Sequence, residues 1–434
     1  MDIVARIEKL QADLAQGLHE APADRRILLQ SRPEAALAEL AAQAALPDRS
    51  DLPLAGVVMT VKACIDMAGL VTGSASGATS GDAPAEQDAP VLARLRAAGA
   101  VVIGQTNMTE FAYGALGLNH RFGTPRTPLD PAGERVAGGS TSGGAVAVAN
   151  GLADLSLGSD TSGSARIPAA FCGCIGWKPG LSRYPREGLA FLSSSFDVPG
   201  LLARDMDLLM AADRAISGRD VLAPPARLRL AVPAELAGLD IDADVGAAFE
   251  AALDRLRAAG HEVVVLSMPE LMEGARLVAQ ARVIGAEAHA LHRDRLARRG
   301  PDYDPLVRTR ITAGAEVAPE GVAAALDALP GLRADLARRL DGIDAVISPT
   351  TPMQAPRLAD LLDEPAYLAT NIRAFSLAEW ANRLDLPSIS LPLPQLATGV
   401  MLTGHHEGDD GLLAVARAVL SALACKTENQ GEPK

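Results

Sequence analysis

The spacing of apolar residues changes near residue 53, and the change separates two kinds of predicted structure. Residues 1–50 are rich in Ala, Leu and Arg, and their pattern predicts two or three helices with a break near Pro33. Beyond them the apolar residues gather into short continuous runs. Gly56–Ala63 (GVVMTVKA) predicts a buried strand, Pro90–Ala98 a helix and Val101–Gly104 a strand, the grammar of an α/β layer. Asn107–Tyr113 predicts a short helix. Gly114–Val136 is a long polar loop carrying His120, Arg121, Pro125, Arg126 and Pro128. Helices are expected at Gly144–Asn150 and Ile167–Phe171, with strands at Leu155–Gly158 and Cys174–Lys178. Downstream, strands are predicted at Arg227–Val232, Glu262–Ser267, Asp344–Ser348 and Ser388–Leu391. Helices are predicted at Ala243–Ala259, Leu271–Arg295, Val322–Leu340 and Leu412–Ala424. Gly218–Pro225 (GRDVLAPP) is the best linker candidate, and 426–434 a polar tail.

Composition narrows the function. The chain has 434 residues with 40 basic and 53 acidic side chains, a net charge of −13. An acidic balance argues against nucleic acid and against anionic membranes as partners. No apolar run reaches the roughly 18 residues of a membrane span. The N-terminal segment is amphipathic and charged without a signal-peptide core, so a cytoplasmic location is expected. Four cysteines (Cys64, Cys172, Cys174, Cys425) are too few for a disulfide framework, and Cys172 and Cys174 are expected as buried free thiols. His289 and His292 share a helix face, but no carboxylate pattern completes a metal site, so a partly exposed helix face is expected.

Residues 138–180 stand apart, because 10 of these 43 residues are glycine. The stretch does not match a phosphate-binding loop: no Gly is followed by Lys and no Gly-x-Gly occurs. Gly-x-Ser-x-Gly and Ser-x-x-Lys are absent too. What remains are hydroxyls set in permissive backbone, GGSTSGG at Gly138–Gly144 and GSDTSGSARIP at Gly158–Pro168. Successive amides in such a turn can converge as an anion nest, giving a serine its own oxyanion hole. That serine needs a base, and no histidine lies nearby in sequence. Of 40 basic residues only five are Lys (9, 62, 178, 426 and 434). Lys62 sits in an apolar strand, where a charge is costly unless paired. Its alternative is a lysine snorkelling from a strand end.

The string GGSTSGGAVAVANGLADLSLGSDTSGSARIPAAFCGCIGWKPG at Gly138–Gly180 resembles the signature segment of the amidase signature family. AGVVMTVKACIDMAGLVTGSAS resembles that family's lysine-bearing strand, and VLARLRAAGAVVIGQTNMTEFAYG its linking helix and strand. The resemblance is dense over 53–205 and weaker over 340–424, where DAVISPTTP and TGVMLTGHHEGDDGLL fit. It rests on length and pattern alone over 220–340. It implies an α/β fold with a large mixed central sheet covered by helices on both faces. The expected layout is one domain over 1–425, with a helical segment at 1–50 and a signature core at 53–205.

The same resemblance implies a Ser-cis-Ser-Lys triad: Ser164 as nucleophile, Ser140 as bridge after a cis Gly139–Ser140 peptide, and Lys62 as base. Oxyanion donors would be the backbone N–H groups of Thr161, Ser162, Gly163 and Ser164. Ser142 would steady the cis peptide, and Asp160 and Arg166 would brace the turn. The implied reaction is hydrolysis of a small-molecule amide through an acyl-enzyme, with no cofactor and no metal, and a homodimer is compatible with it. The alternatives are the glutaminase (A-type) subunit of a tRNA-dependent amidotransferase, and a catalytically silent binding protein, which the filled triad positions disfavour. Departures from the family pattern are Cys64 in place of Asn or Asp, Thr141 in place of Ser, and Trp177-Lys178-Pro179-Gly180 in place of Leu-Lys-Pro-Thr, with Trp177 expected in the core. The loops His120–Arg135, Tyr184–Asp197 and Tyr303–Thr312 are expected to shape the pocket. Arg121, Arg126, Arg135 and Arg186 are carboxylate-clamp candidates.

Overall fold

Eleven strands share one mixed sheet in a computed structural model that describes residues 2–16, 22–393 and 397–424. In chain order they are β1 (Leu28–Ser31), β2 (Val58–Lys62), β3 (Val101–Thr106), β4 (Leu155–Asp160), β5 (Ile175–Lys178) and β6 (Val198–Ala203). They continue with β7 (Arg229–Pro233), β8 (Glu262–Leu266), β9 (Ala345–Pro349), β10 (Ser388–Pro392) and β11 (Gly399–Thr403). Their order across the sheet is β1-β3-β2-β4-β6-β5-β10-β11-β9-β7-β8. The β3-β2-β4 flank and the β9-β7-β8 flank are parallel, and the strands between them pair antiparallel. The proposed linker Gly218–Pro225 is a connection between strands of this same sheet. The polar tail and Cys425 lie outside the described residues.

Side chains alternate between two apolar clusters, as the two-residue period of a strand requires. Val58, Val101, Ile103 and Leu202 join one cluster with Leu10, Leu40 and Val146. Their neighbours Met59, Val102 and Leu201 join another with Leu92, Leu209 and Leu413. Both faces of this flank are therefore covered by helices, which is why its strands read as unbroken apolar runs instead of alternating ones. β8 differs: it is the edge strand, and its Val265 is 66% exposed.

Several elements depart from expectation. β1 lies inside the stretch expected to be helical and pairs antiparallel with β3. β6 carries Pro199 and Gly200, which resemble turn signals, and β11 opens on Gly399. The expected helix at Asn107–Tyr113 is only a short turn at Glu110–Ala112, with Phe111 and Ala112 at φ 49° and 61°. The long helix predicted over 271–295 is two helices, Pro269–Gln280 and Val283–Arg299, broken where Arg282 adopts φ 51°. No Gly or Pro marks that break. Among the described residues, no helix is long and apolar enough to cross a membrane.

Candidate active site

The parallel neighbours β2 and β4 run out at the same end of the sheet, in register Val61↔Leu157. β2 ends on Lys62, and β4 ends on Asp160 before a tight turn into the helix Arg166–Cys172. The segment through Ser140 comes alongside both: Thr141 N–H donates to the Ser164 carbonyl at 3.2 Å, and Thr109 N–H to the Ser140 carbonyl at 3.2 Å. The Gly139–Ser140 peptide is cis.

Lys62 is fully buried, and its Nζ donates to Ser140 Oγ at 2.7 Å and to Ser159 Oγ at 2.8 Å. Burial pushes its pKa down from the ordinary value, while Cys64, Asp197 and Asp160 pull more weakly the other way. It is not a snorkelling strand-end lysine. Sequence reasoning does not single out Ser159 as a Lys62 partner. Strand alternation does not predict the contact, since it sets Ser159 on the face of Leu157 and Lys62 on that of Thr60 and Ser156. Cys64 Sγ lies 3.6 Å from Ser159 Oγ, so the thiol closes this chain of groups.

Ser164 lies in the turn and lines a cavity of about 420 Å³. Among the described residues its Oγ has no hydrogen-bond partner, and the Oγ groups of Ser164 and Ser140 are not hydrogen-bonded to each other. The turn is held from below by the Asp160 carboxylate, which accepts from Gly163 N–H at 2.8 Å and Ala165 N–H at 3.0 Å. It also accepts from Arg166 Nε at 3.1 Å and Nη2 at 2.9 Å. Burial alone would raise the Asp160 pKa, but the Arg166 guanidinium outweighs it and holds the carboxyl well below the usual range. Gly163 has φ +115°, and a Cβ there would meet the Ala378 Cβ at 2.6 Å, so only glycine fits.

Two expected details change. Gly163 N–H is taken by Asp160, which leaves the amides of Thr161, Ser162 and Ser164 without a partner among the described residues. Ser142, expected to steady the cis peptide, has a buried Oγ with no hydrogen bond among the described residues; it opens the helix Ser142–Ala149.

Other groups around the turn come from distant elements. Arg383 Nη1 donates to the Thr161 carbonyl at 3.1 Å, and its Nη2 to Ser162 Oγ at 2.7 Å and Glu379 at 2.6 Å. Asn382 Nδ2 donates to Asp160 Oδ1 at 2.9 Å. Asp197 accepts from Thr161 Oγ1 at 2.6 Å and from Leu192 N–H at 2.6 Å; burial lifts its pKa to about 6 against those bonds. Lys178 is buried as well, its pKa lowered by burial to about 8. Trp177 is fully buried, as expected.

The cavity walls differ from expectation. His120–Arg135 contributes nothing to them, Tyr184–Asp197 only Leu192, and Tyr303–Thr312 only Arg310. The walls are Ala112–Ala115, residues from 278–285, Ala313 and residues from 371–383. The clamp candidates lie elsewhere: Arg135 donates to the Ala355 carbonyl at 2.5 Å, Arg186 to the Ser194 carbonyl at 3.0 Å, Arg126 to the Thr124 carbonyl, and Arg121 stacks on Phe122. The arginines at the cavity are Arg282, Arg310 and Arg383. His292 is buried, its Nδ1 2.9 Å from Tyr303 Oη and its ring against Phe111, in place of the partly exposed face expected. Cys172 and Cys174 are buried free thiols, as expected.

The fold and the family comparison together place this chain among the hydrolases that act on C–N bonds. The amidase family model matches residues 20–413, and the chain belongs to that family. It is 32% identical over 377 residues to a 2-amino-5-chloromuconic acid deaminase of Comamonas testosteroni, covering 85% of this chain and 81% of that protein. It is 35% identical over 410 residues to the A-type subunit of the glutamyl-tRNA(Gln) amidotransferase of Symbiobacterium thermophilum, covering 84% and 82%. A crystal structure of an amidase superposes with a TM-score of 0.85 at 30% identity, covering 97% of this chain and 99% of the other.

Proposed function

We propose that the chain hydrolyses a small-molecule carboxamide to a carboxylate and ammonia or an amine, with Ser164, Ser140 and Lys62 as its catalytic residues. The observation that carries this reading is the fully buried Lys62 ammonium position, 2.7 Å from Ser140 Oγ. A lysine whose pKa is lowered by burial can be neutral when it acts, as a general base must be. In this reading neutral Lys62 takes the proton of Ser140, and Ser140 takes that of Ser164 as substrate enters. The Ser140–Ser164 hydrogen bond forms in the loaded site; such contacts commonly tighten only with substrate present. Ser164 Oγ attacks the carbonyl, and the oxyanion is received by the free amides of Thr161, Ser162 and Ser164. The proton returns through Ser140 to the leaving nitrogen, and water cleaves the acyl-enzyme. A cavity of about 420 Å³ suits a small substrate.

A fluorophosphonate probe tests the nucleophile. Labelling is expected at Ser164 alone and absent in Ser164→Ala; labelling that survives this substitution overturns the assignment. The likeness to the A-type amidotransferase subunit favours a second reading, in which the same residues release ammonia from glutamine for a partner protein. Hydrolysis of simple amides by the isolated chain, with no partner captured, excludes it.

A further inference from the structure

We infer that the amide cleaved at Ser164 carries a carboxylate at its other end, held by Arg310 with Arg282 beside it; this rests on the hydrolase reading above. The argument is one of charge balance inside the cavity. Among the described residues lining it, the acid is Glu379, and it is paired with Arg383 at 2.6 Å. Arg383 is engaged further by the Thr161 carbonyl and Ser162 Oγ. That pair is neutral in sum and bound into the nucleophile turn.

Arg282 and Arg310 have no such partner. Among the described residues, neither has a carboxylate within ion-pairing distance, and each is anchored by one backbone carbonyl. Arg310 Nη1 donates to the Tyr113 carbonyl at 2.7 Å while its guanidinium lies 3.9 Å from the Tyr113 ring centroid. Arg282 Nη2 donates to the Ala313 carbonyl at 2.7 Å. A guanidinium stacked on a ring and tied along one edge keeps its plane fixed and presents its remaining N–H groups as a fork, which suits a carboxylate. Asn371 adds to the donor excess: its Oδ1 accepts from Ala115 N–H at 2.7 Å, and its Nδ2 has no partner among the described residues. The cavity thus offers unmatched donors and the unpaired charge of half-buried Arg310, with exposed Arg282 adding a second cation.

The test compares malonamate, succinamate and glutaramate with the neutral amides propanamide, butanamide and pentanamide, as a ratio of kcat/KM on one enzyme preparation. That ratio does not depend on how much of a variant is folded. The wild-type chain is expected to favour the carboxylated amides by on the order of 10²-fold, and Arg310→Gln to remove most of that preference, chiefly through KM. Arg310→Lys keeps the charge without the fork and is expected to fall between them. Equal use of both amide sets, or a preference unchanged in Arg310→Gln, overturns the inference while leaving the hydrolase reading intact. If none of the six amides is cleaved, protection of Ser164 from the fluorophosphonate by malonate, succinate or glutarate decides. Protection that is weakened in Arg310→Gln supports the inference, and absent or equal protection overturns it. If Ser164 is not labelled at all, the hydrolase reading fails and the inference falls with it.

Discussion

The turn that holds Ser164 and the cavity that opens onto it are built in opposite ways. The turn is braced from beneath: a buried carboxylate ties Gly163, Ala165 and Arg166 together, and a glycine with no room for a Cβ sets the bend, while the amides of Thr161, Ser162 and Ser164 stay free among the described residues. The cavity walls are side chains from helices far apart in sequence, and some are open to water, as Ile372 is at 60% exposure. Substitutions in the turn should act on chemistry at Ser164 and on folding at the buried Asp160 and Arg166 that brace it, whereas those in the walls should change what binds.

The sharpest way to break this contrast is at Ser164. Ser164→Ala should lose activity by about 10⁴-fold or more and remain folded, measured by turnover and circular dichroism. Substantial residual turnover would move the chemistry out of the turn. Next comes Lys62. Lys62→Arg should be as inactive as Lys62→Ala, a loss on the order of 10²–10⁴-fold, since arginine cannot give up its proton. In the wild type, a lysine with a lowered pKa loses its proton as pH rises through that value, so kcat/KM should climb along a limb lying below the ordinary 10.5. An active Lys62→Arg chain with the same limb would make Lys62 a structural cation.

Asp160 tests the turn as a folding unit. Asp160→Asn leaves Arg166 buried without its counter-charge, and chemical denaturation should show a loss of about 3–5 kcal/mol. The Asp160 pKa is depressed in the folded chain, so its contribution is present above its ordinary value of 3.8 and is lost as pH falls through the lower folded value. The variant should accordingly lose part of the acid limb of the stability curve. The smallest effect on stability belongs to the wall. Ile372→Ser should stay within about 0.5 kcal/mol of the parent, while KM for amides with an apolar body rises.

The same contrast explains what the sequence made legible. The turn is encoded within one string, where glycine, hydroxyl and charged residues follow each other closely, so Ser140, Ser164, Asp160 and Arg166 stand out. β2 announces itself as an unbroken apolar run ending on a lysine. The walls have no such signature. Arg282 reaches the cavity because a helix breaks at a residue with positive φ and neither Gly nor Pro beside it, and Arg310 lies in the stretch where only length and pattern match. Arg383 meets Ser162 across 221 residues of chain. Such contacts arise from how the sheet brings its helices together, and no local spacing encodes them. Strands escape notice for a related reason: Pro199 and Gly200 in β6 imitate a loop, and only tertiary pairing with Ser159 and Gly158 of β4 makes them a strand.

β8 carries a consequence for the protein as a colloid. It ends the sheet with three consecutive valines, one of them two-thirds exposed, and its outer edge has no strand partner among the described residues. Open edges of this kind recruit other strands unless something keeps the chains apart. Here mutual repulsion between molecules of charge −13 serves that purpose at neutral pH. Near the isoelectric point of about 5.1 that repulsion vanishes, and high salt screens it at any pH. Concentrated solutions should therefore scatter most light near pH 5, and Val265→Lys should restore clarity there.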